Sequence, residues 1–70
     1  MVQVTKEQAL GKMNEGFVGT IVIKEDSSIW FAMFGEKLNN EELKTIKYIS
    51  RVGDGMTRAN AKRNIEKYCS

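Results

Sequence analysis

Basic side chains in the C-terminal part of the chain are the residues best suited to bind a charged partner. Up to Leu43 there are four lysines and seven acidic residues, whereas Lys44 and the residues after it include seven basic and two acidic ones. Phosphate groups of DNA or RNA are attracted to such a surface, and their binding releases counterions. The residues expected to contact nucleic acid are Arg51, Arg58, Lys62, Arg63 and Lys67. A solvated helix face that keeps a small protein in solution has the same charge pattern.

Catalytic and metal-binding side chains are scarce. The chain has no histidine, which removes the commonest general base and the familiar nucleophilic triads. Its one cysteine, Cys69, has no second thiol to pair with and no neighbouring base to activate it. Four nitrogen or sulfur ligands for zinc cannot be assembled, and no acidic run has the spacing of a calcium loop. We therefore expect a protein that is not an enzyme and that uses no cofactor and no metal.

The segment Ile49–Ala59 contains two glycines around one residue, with a small residue four positions after the second glycine. It resembles the helix-hairpin-helix motif, in which the backbone amides of such a turn approach phosphate. Asp54 departs from that motif because it places a carboxylate where an apolar side chain is expected, and Lys62 also replaces an apolar residue. The segment resembles a helix-turn-helix as well, with Thr57–Tyr68 as the recognition helix. A glycine that ends one helix, followed by an Asp or Thr cap, explains the same residues without a ligand.

Residues 20–34 carry the signal of a β-hairpin. Two segments rich in β-branched and aromatic residues, Thr20–Ile23 and Ile29–Phe34, flank the polar sequence Glu25–Ser28. If Lys24 lies opposite Ile29, apolar side chains project from both faces, whereas a half-solvated sheet alternates apolar and polar residues. Packing in the core of the chain is one explanation, and an interface is the other, since Trp, Phe and Met are enriched in interface cores. The residues expected to contact a protein partner are Phe31, Met33 and Phe34.

Three helices are predicted from caps, apolar spacing and glycine stops. The first begins at the capping box of Thr5 and Gln8 and ends at Gly16. The second begins at Asn39 and continues to Gly53, and the third runs from near Asp54 or Thr57 to about Tyr68. The expected core consists of Leu10, Met13, Ile21, Ile23, Trp30, Leu43, Ile46, Ile49 and Ile65.

These elements predict an α+β fold with the order α-β-β-α-α, in which an antiparallel β-hairpin packs against three short helices. A length of 70 residues allows one domain, residues 1–70, with a small core. The composition, 41% hydrophobic and 29% charged, is typical of a folded domain and not of a disordered tail.

Two function classes agree with the sequence. The first is a small non-enzymatic protein-binding module, an inhibitor or adaptor, that docks through its apolar hairpin on a target protein or a second copy. A compact, proline-free chain of this kind is also compatible with a phage accessory protein. The alternative is a DNA-binding or RNA-binding protein that uses its basic C-terminal helices. A net charge of +2 is low for phosphate binding, which favours the first class.

The N-terminal residues indicate the expected location of the protein. They lead straight into a charged segment, without the basic and apolar regions of a targeting signal. The longest apolar run, Ile29–Phe34, has six residues, whereas a membrane-spanning helix needs about 20. We therefore expect no membrane association and a cytoplasmic protein whose cysteine is reduced.

Overall fold

The hairpin predicted from residues 20–34 lies in the middle of a larger sheet. The computed structural model describes residues 1–69. Its elements in chain order are β1 (Val2–Val4), α1 (Lys6–Asn14), β2 (Gly19–Lys24), β3 (Ile29–Ala32), α2 (Asn40–Leu43), β4 (Ile46–Val52) and α3 (Gly55–Tyr68). The four strands form one antiparallel sheet in the order β1-β3-β2-β4. The predicted α+β class and the small single domain are confirmed.

A tight turn fixes the register of β2 and β3. Ser27 adopts a left-handed conformation with φ of 68°, and its amide donates to the carbonyl oxygen of Lys24 at 2.9 Å. The Lys24 amide donates to the carbonyl oxygen of Ser28 at 2.9 Å. Ile23 therefore lies opposite Ile29, and the expected pairing of Lys24 with Ile29 is wrong by one residue.

The observed register divides the sheet into two faces, because successive side chains of a strand point to opposite sides. The packed face carries the strand residues that join the hydrophobic core, among them Ile21, Ile23, Ile29, Phe31 and Val52. We call the other side the open face, and its side chains are Gln3, Thr20, Val22, Lys24, Trp30, Ala32, Ile46, Ile49 and Arg51.

Helices α1 and α3 cover the packed face. Helix α1 begins at the predicted capping box, in which the Gln8 amide donates to Thr5 Oγ1 at 3.1 Å and the Thr5 amide donates to Gln8 Oε1 at 2.9 Å. Helix α3 begins at Asp54, whose carboxylate accepts a hydrogen bond from the Thr57 amide at 2.9 Å. The buried core that these helices form with the sheet consists of Ala9, Met13, Ile21, Ile23, Ile29, Phe31, Val52, Ala61 and Ile65.

The second helix is the main difference from the sequence prediction. It begins at the predicted Asn39 cap but ends after one turn, and residues 46–52 form strand β4. Burial in β4 alternates with a period of two, so that Tyr48 and Ser50 are more buried than Lys47, Ile49 and Arg51. A strand is favoured here because pairing with β2 provides hydrogen-bond partners for backbone N–H and C=O groups along one edge of β4. The same pairing buries Val52 completely.

The remaining corrections follow from this strand and from β1. The observed element order contains the predicted α-β-β-α-α, with β1 added before the first helix and β4 added before the last. Of the expected core residues, Met13, Ile21, Ile23 and Ile65 are buried, and Leu10, Trp30 and Ile46 are half-buried. Leu43 is 50% exposed on the short helix α2, and Ile49 is 48% exposed because it projects from β4 to the open face.

Truncation of Ile65 should be among the most destabilising changes in the chain. Its side chain is fully buried between α3 and the packed face. Ile65→Ala should therefore lower the free energy of unfolding by about 2–5 kcal/mol. The matched control, Leu43→Ala, removes a half-exposed side chain and should change it by less than about 0.5 kcal/mol. Urea unfolding followed by circular dichroism measures both, and equal stabilities would contradict the packing described above.

Gly19 cannot be replaced without displacing its neighbours. A Cβ atom there would lie 2.7 Å from the Ala32 carbonyl oxygen and 2.8 Å from Phe17 Cζ, and the backbone φ is +155°. Gly19→Ala should therefore destabilise the fold by about 1–3 kcal/mol. Gly11→Ala is the matched control, because this helical position has no atom within 4 Å of the added Cβ. It should raise stability by about 0.5–1 kcal/mol, and thermal unfolding of the two variants should show shifts of opposite sign.

Candidate functional site

The open face is the side of the sheet that α1 and α3 leave uncovered. Val22 and Ala32 lie at its centre and are buried, while Trp30 beside them is half-buried. Ile49 is 48% exposed on the neighbouring strand, and Phe34, just beyond the end of β3, is 47% exposed. This face therefore combines a buried apolar centre with exposed apolar side chains at its margin.

A cavity of about 530 Å³ lies at one end of the open face. Thr20, Ala32 and Arg51 lie side by side across three strands at this end of the sheet. The segment 35–38, which follows β3, forms the opposite wall. The complete lining is Thr20, Ala32, Gly35, Glu36, Lys37, Leu38, Ile49, Ser50 and Arg51. The cavity is large enough for an apolar side chain and has charged groups at its border.

The strands of the sheet carry only positive charges. Their three charged residues are Lys24, Lys47 and Arg51, and none of the four strands contains an acidic residue. Two of the three, Lys24 and Arg51, lie on the open face. The one ion pair within residues 1–69 joins the Met1 amino group to Glu36. That amino group holds the pKa of the Glu36 carboxyl below its usual value, assisted by the backbone amide of Met33.

Both aromatic rings near the open face have a cation beside them. Lys24 Nζ lies 4.3 Å from the centroid of the Trp30 ring, and the indole Nε1 of Trp30 donates to Ser28 Oγ at 2.9 Å. The guanidinium carbon of Arg51 lies 6.0 Å from the centroid of the Phe34 ring. These contacts hold the two cations over apolar surface while leaving their charges on the open face.

The three residues predicted to bind protein are placed in three different environments. Phe31 is only 8% exposed because it lies on the packed face, where its ring stacks on Phe17 with centroids 4.4 Å apart. Met33 is 71% exposed and borders a cavity that Val2 also lines, at the other edge of the sheet. Phe34 alone approaches the open face, beside Arg51. The shift in hairpin register explains why Phe31 points inward.

The five basic residues predicted to bind nucleic acid are not all brought together, because four lie on α3 and Arg51 lies on β4. Arg58 Nη1 donates to the Phe17 carbonyl oxygen at 3.4 Å, and Lys62 Nζ donates to Asn14 Oδ1 at 3.2 Å. Arg63 donates to Asn60 on the same helix, and Lys67 Nζ lies 5.2 Å from the Tyr68 ring centroid. Arg51 points to the open face, on the other side of the sheet from α3.

The turn Gly53–Gly55 does not have the surroundings that its resemblance to nucleic-acid motifs implies. A strand precedes it, so the pair of helices required for a helix-hairpin-helix or a helix-turn-helix is not formed in this part of the chain. The Asp54 carboxylate accepts the Thr57 amide at the N-terminus of α3, and this hydrogen bond lowers the pKa of Asp54. A negative charge therefore already lies where phosphate would have to approach.

Cys69 is half-buried against the hairpin turn. Its Sγ lies 3.5 Å from the Ser27 carbonyl oxygen, and burial raises the pKa of the thiol above its ordinary value. No group of three potential ligand side chains within residues 1–69 could hold a metal ion.

None of the helices described by the structure is long and apolar enough to span a membrane. Comparison of the chain with known protein families, with curated proteins and with solved structures finds no match.

The cap of α3 should contribute to stability in a pH-dependent manner. The pKa of Asp54 is lower in the folded protein, so the ionised carboxylate stabilises the fold above its unfolded pKa of about 3.9. This contribution is lost as the pH falls through the lower, folded pKa. Asp54→Ala should therefore lower the melting temperature most at pH 6–7, and the difference from the unmodified protein should shrink below about pH 3. A difference that stays constant between these pH values would contradict this role of the carboxylate.

Proposed function

We propose that this chain is a small, non-enzymatic protein-binding module, an inhibitor or adaptor, that docks through the open face of its sheet. The observation that carries this proposal is the exposure of Ile49 and Phe34 beside a cavity of about 530 Å³, on a sheet face that neither long helix covers. Apolar surface that a small domain leaves exposed in this way is typical of the core of a protein interface.

The residues of the open face suit different parts of such an interface. Ile49 and Phe34 would be anchors, because each can bury further apolar area against a partner. The cavity that Ile49 lines would receive an apolar side chain of the partner. Lys24 and Arg51 would lie at the rim, where charges set the orientation and rate of association more than the affinity. Phe31 supports this surface from the packed face and has no direct contact with the partner.

Nucleic-acid binding is the competing function, and the distribution of cations disfavours it. Arg58 and Lys62 donate hydrogen bonds to residues 17 and 14 of the chain itself, and Arg51 lies on the opposite side of the sheet. A gel-shift assay at low salt against mixed DNA and RNA tests this function. Binding at micromolar concentration or tighter, abolished by the double change Arg58→Glu and Arg63→Glu, would reverse the preference.

Replacement of Ile49 by glutamate should abolish binding to the partner. A protein captured from the native host by the tagged chain is identified, purified and titrated with each variant by isothermal calorimetry. Ile49→Glu should weaken the affinity by at least roughly 30-fold, since it replaces an apolar anchor with a charged group that loses its hydration in the interface. Met56→Glu is the matched control, because Met56 is 76% exposed on α3 and away from the open face. Full affinity of Ile49→Glu, or equal losses in both variants, would refute docking through the open face.

A further inference from the structure

Strand β4 has one edge without a partner strand. It pairs with β2 alone, so within residues 1–69 its other edge forms no ladder. At the opposite side of the sheet, the edge strand β1 has three residues, whereas β4 has seven. An unpaired edge presents a row of backbone N–H and C=O groups, to which an extended segment can add as a further strand.

The regular part of this edge is Tyr48–Val52. The register of β2 and β4 is irregular near one end. Ile23 pairs with Tyr48 and Lys24 pairs with Ile46, so Lys47 has no partner in β2. After this irregularity the strand is regular, and Ile49 and Arg51, two residues apart, both project to the open face. An added strand would therefore place two of its own side chains, two residues apart, beside these two.

The charges near this edge indicate the chemistry of the added strand. The one carboxylate that lines the cavity with Ile49 and Arg51, that of Glu36, is already paired with the Met1 amino group. Every charged residue in the four strands is a cation, and Arg51 has no carboxylate partner among the residues that the structure describes. Opposite charges on directly neighbouring strands stabilise a sheet, and apolar pairs do the same. A carboxylate on the added strand would form an ion pair with Arg51, and an apolar side chain would pack against Ile49.

We infer that the partner contributes an extended segment, with an acidic and an apolar residue two positions apart, that adds to β4 as a fifth strand. This inference rests on the proposed function and specifies the kind of partner. The apolar side chain of the segment lies against Ile49 at the cavity, and its carboxylate pairs with the Arg51 guanidinium. Backbone hydrogen bonds to Tyr48–Val52 supply affinity, while these two side chains supply specificity.

Two other occupants are disfavoured by the same residues. A second copy of β4 would supply no carboxylate for Arg51, because the charged residues of this strand, Lys47 and Arg51, are both cations. Single-stranded nucleic acid would need exposed aromatic rings on which bases stack. The Trp30 ring is half-buried and in contact with Lys24 at 4.3 Å, so that near this edge only Phe34, 47% exposed, offers a ring, whereas successive bases stack on several.

Two synthetic peptides that differ only in charge test the inference. Each has seven residues, with valine at positions 1 and 5 and threonine at positions 2, 4 and 6, and positions 3 and 7 are glutamate in one peptide and lysine in the other. Binding is followed by the fluorescence of Trp30, the one tryptophan of the chain, which lies on the open face. The acidic peptide should bind at least tenfold more tightly than the basic one. Arg51→Glu should reverse this preference, whereas Arg63→Glu, an equal change of net charge on α3, should leave it unchanged.

Amide hydrogen exchange locates the bound peptide. The amides of Tyr48–Val52 that point away from β2 should exchange rapidly in the free protein and at least tenfold more slowly when the acidic peptide is bound. Binding without this protection, or equal affinity for both peptides, would overturn the inference while leaving docking through the open face intact. Protection of these amides on raising the protein concentration alone would indicate pairing with a second copy. Protection on adding a thymidine oligonucleotide would indicate binding of nucleic acid. Either result would also overturn the inference. Unchanged partner binding by Ile49→Glu would instead refute the proposed function.

Discussion

The turn at Ser27 sets the register on which the rest of this structure depends. Its left-handed backbone lets Lys24 pair with Ser28, and every later pair of the hairpin follows from that first one. A slip of one residue would exchange the two faces of β3, so that Trp30 instead of Phe31 would point toward the helices. The Ser27 hydroxyl also donates to the Tyr68 carbonyl oxygen at 3.0 Å, which connects the turn to the end of α3.

Local signals in the sequence were sufficient for α1, α3 and the hairpin. The capping box at Thr5 and Gln8 and the Asp54 cap predicted α1 and α3 correctly, and the β-branched segments predicted the hairpin. Residues 46–52 could not be assigned in this way, because Leu43, Ile46 and Ile49 have a spacing of three that agrees with a helix. Pairing with β2, more than 20 residues away in sequence, makes this segment a strand. Strand β1 was missed because three residues are too few to show a pattern.

The candidate site was harder to predict than the fold, since a binding face depends on which side of each strand is covered. The apolar residues of the hairpin were recognised, but a one-residue difference in register decides that Phe31 belongs to the core and Trp30 to the open face. Ile49 and Arg51 come to the open face only because β4 is a strand. The basic residues of α3 were recognised as well, yet Arg58 and Lys62 donate hydrogen bonds to the segment at the end of α1. A count of charges cannot distinguish basic residues that form hydrogen bonds within the chain from basic residues that are free to bind a partner.

The strand order has a consequence for how the domain folds and opens. The two middle strands are neighbours in the sequence, so a hairpin can form first from local contacts, at little cost in loop entropy. The edge strands pair with it on opposite sides, β1 from the beginning of the chain and β4 after the long connection that follows β3. Either edge can therefore detach in a local fluctuation without separating β2 from β3. Departure of β4 would uncover the backbone of β2, whereas departure of β1 would uncover only three residues of β3.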